Sequence, residues 1–183
     1  MNGHHLILGE LSDFISGTTL KDTHDERYRQ KIARLLVNRK GYLKSDIERS
    51  QDLLVQAGEK RAIVKIDFLI NLSGKICMIV KYGPGSLVTR RRPVLAASRV
   101  LAPYQIPVAV VTNGEDAEVL EGSGGSVLTV GLENIPSKTE LQKIAACDEF
   151  RAIPAQRAAM ESRIVYCYEV DDSCPCDEDI CRL

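Results

Sequence analysis

A mixed α/β fold, with one sheet of about five strands flanked by helices, is predicted from three observations. Residues 63–72 alternate apolar and polar with period two, a capped helix precedes them, and a β-branched run, "PVAVVT", follows a helical stretch. After the opening helix the order is β, β, β, α, β, β, and the strand–helix–strand unit within it is expected to be right-handed. With 183 residues, 44% of them hydrophobic, the chain can bury a core as one domain of ordinary size. We divide it into an N-terminal extension (1–21), a core domain (22–150) and a C-terminal helix with an acidic, cysteine-rich tail (151–183).

In "DTHDERYRQKIARLLVNRKG", Thr23 with Glu26 three residues on forms a capping box, and Gly41 stops the helix. Tyr28, Ile32, Leu35 and Leu36 share one face. "DIERSQDLLVQ" reads as a strand, "AGEK" as a turn, and Val64, Ile66, Phe68, Ile70 and Leu72 as one side of the next strand. "SGK" turns the chain into a third strand, Ile76 to Tyr82, which makes an antiparallel meander. Residues 86–102 read as a helix that Pro93 kinks or delays. "PVAVVT" and "NGEDAEVLEG" give two more strands, and "GSGGSVLTVGLENIPS" reads as a loop-rich link. Ser137 caps a short helix to Cys147, and another runs from Pro154 to Tyr168.

No apolar run approaches the roughly 18 residues of a membrane helix. The N-terminus also lacks the features of a secretory signal, so a cytoplasmic location is expected. There, six cysteines read as ligands, catalysts or buried thiols before disulfides. Net charge is −1, but residues 169–183 carry six acids against Arg182, which leaves the body with 23 basic and 19 acidic groups. A basic body with an acidic tail fits a polyanion-binding domain, the tail being solvated, folded onto the body or offered to a protein partner.

Asp67 and Lys81 fall on neighbouring strands of the meander. Carboxylates that hold magnesium, with a lysine beside them, are what metal-assisted phosphodiester hydrolysis needs, and part of that set is present. The alternative is an Asp67–Lys81 ion pair on the sheet surface.

The helix "DERYRQKIARLLV", the mid-strand aspartate after "KR", the lysine of "KYGPG" and "VVTNGEDAEVLE" together resemble the N-terminal domain of the type I restriction enzyme R subunit. The similarity spans residues 22–121 and implies a restriction-endonuclease-like core of the PD-(D/E)xK nuclease fold. It implies Asp67 as metal ligand, Lys81 as the lysine assisting the attacking water, and Glu26 as the helix acid completing a magnesium site. One departure stands out: the glutamate of Glu-x-Lys falls on Ile79, or on Val80 if the register is anchored at Pro84. The glutamine signature expected on the next helix is replaced by "LAASR". Glu26 or Glu48 could supply the missing carboxylate. The resemblance implies a duplex-DNA-binding protein, weak or degenerate as a magnesium-dependent endonuclease. The alternative is a non-catalytic interaction scaffold with a metal-binding tail.

Arg90, Arg91 and Arg92 at the start of the predicted helix, with Arg99 two turns on, are placed to hold DNA phosphates, or else to form a solvated basic face. Cys167, Cys174, Cys176 and Cys181 supply four thiols in fifteen residues, enough for zinc. An iron–sulfur cluster, a redox pair in "CPC" and free thiols are the alternatives. Cys77 and Cys147 read as core or near-core thiols. His4, His5 and His24 read as an exposed end and a first-turn residue, and no nucleophile elbow, phosphate loop or dinucleotide fingerprint is present.

Overall fold

The antiparallel meander is the spine of the molecule. The structure is a computed structural model that describes residues 7–170 and 180–182, the last three as backbone. A short hairpin, β1 (Gly9–Ser12) and β2 (Thr19–Asp22), leads into helix α1 (His24–Asn38). The meander β3 (Ile47–Ala57), β4 (Lys60–Leu72) and β5 (Lys75–Tyr82) follows. Helix α2 (Arg91–Ser98) then crosses to β6 (Val108–Thr112), beside which lie β7 (Ala117–Glu121) and β8 (Val127–Val130). Helices α3 (Lys138–Cys147) and α4 (Ala155–Glu169) complete the body, and β9 (Ile180–Arg182) pairs in parallel with Arg61–Ile63 of β4. Six strands of the main sheet follow the order β3-β4-β5-β6-β7-β8, antiparallel except for β5 beside β6, and β9 joins the sheet off this path as a seventh.

Local chemistry explains these boundaries. Thr23 caps α1 by accepting from the Glu26 backbone N–H, and Ser137 forms a full capping box with Glu140 on α3. The β4–β5 turn needs positive φ at both central residues, and Ser73 and Gly74 adopt +53° and +78°. The sheet buries both faces. Ile32, Ala33 and Leu36 of α1 and Leu141 of α3 cover Phe68, Ile70, Met78, Val80 and Val110. On the other side, Val94, Ala96 and Ala97 of α2 and Val165 of α4 share a cluster with Ile66, Leu69, Ile79 and Val111.

Four features differ from expectation. The β1–β2 hairpin spans residues 9–22, across the expected end of the N-terminal extension, and is docked through Asp13, whose carboxylate accepts from Gln30 of α1. The helix expected over 86–102 is a short 3-10 turn, Val88–Arg90, followed by α2. Pro93 falls in the first turn of α2, where its missing N–H costs nothing. The expected link contains β8, and its four residues "VLTV" are all exposed, so no alternating burial marks it in the sequence. In the tail, β9 adds a strand to β4. Among the described residues no helix is long and apolar enough to cross a membrane.

Candidate functional site

The register of β4 and β5 pairs Phe68 with Val80, so the flanking Asp67 and Lys81 stand beside each other. Both line a cleft of about 340 Å³ with Glu26 and Arg29 of α1, Ser50 of β3, Val64 and Lys65 of β4, and Glu169 at the end of α4. The three expected nuclease residues, Glu26, Asp67 and Lys81, thus reach one cleft. Glu48 does not line it and instead accepts from Asn71 at 3.4 Å.

The strand is irregular at this point. Val64 and Ile66 pack with Leu69 in the α2–α4 cluster, whereas Phe68 and Ile70 pack under α1, so strict alternation slips across Asp67. On β3 the residue between the pairs Arg49–Phe68 and Gln51–Ile66 is Ser50, at φ +54°. A left-handed serine inside a strand is uncommon, and such departures concentrate at functional sites.

Every carboxylate in the cleft is answered by a cation of the chain. Asp67 is 5% exposed; one oxygen accepts from Arg29 Nε at 2.5 Å and the other from the Tyr82 backbone N–H at 2.7 Å. Burial opposes the Arg29 charge, but Asp67 and Glu26 outweigh it and push its pKa up. Arg29 also lies over the Tyr82 ring, 5.0 Å from its centroid. Glu26 pairs with Arg49 and accepts from Gln30 at 2.8 Å. Lys81 donates to the Lys65 carbonyl at 2.8 Å and pairs with Glu169 at 3.2 Å.

A magnesium ion fits this donor set poorly. It demands near-octahedral oxygen ligation, yet both Asp67 oxygens already accept from N–H donors. Position 79 is an isoleucine with 0% exposure in the α2–α4 cluster. Among the described residues no three His, Cys, Asp or Glu converge as metal ligands. The lining of the cleft carries three cations, Arg29, Lys65 and Lys81, and three carboxylates, Glu26, Asp67 and Glu169, each carboxylate paired within the chain.

The arginine run lies outside this cleft, and its members have partners within the chain. Arg91 binds both Glu118 oxygens through Nε and Nη2. Arg92 pairs with Glu161 at 2.6 Å, and Arg90 donates to the Pro84 carbonyl at 3.1 Å. Arg99 is 5% exposed; it pairs with Glu161 at 2.8 Å and donates to the Ser123 carbonyl at 2.9 Å. A guanidinium so enclosed cannot reach a DNA phosphate, so Arg99 is an internal ion-pair residue. Burial alone would raise the Glu161 pKa, but Arg92 and Arg99 hold it below its usual range.

Of the zinc candidates, Cys167 is exposed on α4, the Cys181 backbone lies in β9, and Cys174 and Cys176 lie outside the described residues. Cys77 is buried and Cys147 exposed. The sequence reading missed Arg29, Arg49, Lys65 and Glu169. Arg29 had a local signal, one helical turn beyond Glu26, but Glu169 looked like part of a solvated acidic end.

A family model described as the type I restriction enzyme R protein N terminus matches residues 24–136. No curated protein and no solved structure matches the chain.

Proposed function

The chain belongs to the type I restriction enzyme R protein N-terminal family, and from that premise we propose that it binds duplex DNA at the Lys81 cleft through backbone phosphates. Its core descends from the PD-(D/E)xK nucleases and its magnesium-dependent cleavage has degenerated. The observation that carries this reading is the state of Asp67. It sits beside Lys81 as in a nuclease, but Arg29 and the Tyr82 N–H take its oxygens and buried Ile79 replaces the second strand carboxylate.

In this reading Arg29, Lys65 and Lys81 hold phosphate oxygens and fix the position of the duplex without reading its sequence. Arg91 and Arg92 keep 39% and 41% of their side chains exposed, so the arginine run is a secondary contact that competes with Glu118 and Glu161. Magnesium at Asp67 and Glu26 would require Arg29 and Arg49 to withdraw, and for that reason cleavage is degenerate. Zinc at Cys167, Cys174, Cys176 and Cys181 is a separate proposal resting on their sequence spacing, and elemental analysis of the purified protein decides it.

Two measurements test the main proposal. Plasmid incubated with magnesium or manganese should be nicked no faster by the wild-type protein than by Asp67→Ala. Nicking that the variant lacks would restore a working nuclease. Titration of a labelled duplex at low salt should show binding that weakens linearly in log salt, and absence of binding there removes the DNA function.

A further inference from the structure

The C-terminal residue of α4 reaches into the cleft from an element that the family match, residues 24–136, does not cover. Glu169 places its Oε2 3.2 Å from Lys81 Nζ, and both side chains are largely enclosed, at 13% and 15% exposure. Lys81 has its other hydrogen bond to the Lys65 carbonyl, so Glu169 is the only carboxylate paired with it among the described residues. The position of α4 is fixed independently. Ser162 accepts from the Gln56 backbone N–H of β3 at 2.7 Å, and Glu161 ties the helix to Arg92 and Arg99 of the α2 region. The chain then returns as β9 to the same strand, β4, that carries Lys65 and Asp67.

A carboxylate held against a lysine in the wall of the cleft has the charge and the acceptor oxygens of a phosphate diester. We infer that Glu169 occupies the phosphate subsite at Lys81, so that DNA engages the cleft only as Glu169 gives way. The inference rests on the DNA-binding reading above and adds to it both the location of one phosphate and a built-in competitor. The occupant is bonded to the protein, so it competes at a high effective concentration and lowers the affinity for DNA without abolishing it.

The test uses the whole chain and a labelled duplex DNA of mixed sequence, titrated across a salt series. Glu169→Gln keeps the shape of the side chain and removes its charge. It should bind about 3–10-fold tighter than wild type at low salt, with a similar log–log salt slope, because the phosphate contact at Lys81 forms in both complexes once Glu169 has given way. Lys81→Gln should bind more weakly, and adding Glu169→Gln to it should recover nothing. If Glu169→Gln binds no tighter while Lys81→Gln binds more weakly, the competitor is refuted and the DNA reading stands. If no form binds the duplex, the DNA reading fails. A second readout then decides whether Glu169 guards the amine: acetylation of Lys81 in DNA-free protein, followed by mass spectrometry. A rate several-fold higher in Glu169→Gln supports the occupancy, and equal rates overturn it.

Discussion

Two arginine–carboxylate networks in this protein are built from the same residue types and differ in what faces them. At the cleft, Arg29 and Lys81, with Arg49 outside the lining, balance Glu26, Asp67 and Glu169. Between α2 and α4, one carboxylate, Glu161, is 4% exposed and answers Arg92, Arg99 and Arg157. The first arrangement borders a cleft, whereas the second encloses Arg99 and Glu161, at 5% and 4% exposure, between two helices and leaves Arg92 and Arg157 at its rim. A run of arginines in a sequence therefore reports charge, not availability. Availability depends on carboxylates delivered from distant elements.

The largest effect should come from breaking the closed network. Glu161→Ala leaves the Arg99 guanidinium buried without its partner, and removing one member of a buried pair costs about 3–5 kcal/mol. For a chain of this size that lowers Tm by about 6–20 °C. Thermal melts followed by circular dichroism would check it, and a loss below about 1 kcal/mol would mean that Arg99 rehydrates as readily as a cleft arginine, erasing the contrast.

How far the contrast could be read from the sequence depends on the range of each signal. The meander, α1 and the Asp67–Lys81 adjacency follow from period-two and capping patterns that act over a few residues. The slip at Asp67 is invisible, because Val64, Ile66, Phe68 and Ile70 alternate strictly in sequence while their faces change at the irregularity opposite Ser50. The β8 strand left no pattern, since none of its residues is buried. Glu118, Glu161 and Glu169 could not be assigned to Arg91, Arg99 and Lys81, because ion pairing between distant elements has no local signature.

A smaller effect should separate the two networks as ligand sites. Replacing Lys65 and Lys81 together by glutamine should weaken duplex binding about 10-fold and flatten the log–log salt slope by about 1.8, for two phosphates at about 0.9 each. Replacing Arg90, Arg91 and Arg92 together should weaken it about 3-fold, since none of them lines the cleft. A larger loss from the arginine run than from the lysines would reverse the assignment of the site.

The smallest effect concerns the outer end of the cleft network, where Asp13 pairs with Arg49 at 3.1 Å and accepts from Gln30 at 2.9 Å. Burial works to raise its pKa, but hydrogen bonds from Ser16 and Gln30, aided by the Arg49 charge, prevail and bring it from 3.8 down to about 2. A carboxylate depressed in the folded state stabilises the fold above its unfolded pKa and loses that contribution as pH falls through the folded value. Asp13 should therefore contribute about 1 kcal/mol, after allowance for solvent screening, at pH above 4 and progressively less from there down to 2. Urea midpoints across that range should fall less steeply for Asp13→Asn than for wild type. Because Arg49 also holds Glu26, protonating Asp13 removes one of two carboxylates from that guanidinium. The hairpin should loosen from α1 while Arg99 and Glu161, far from Asp13 in the pairing scheme, keep their contact. Amide exchange in β1–β2 rising ahead of that in α2 and α4 as the pH is lowered would show the open network yielding first, and simultaneous loss in all four elements would show that the two networks fail as one unit.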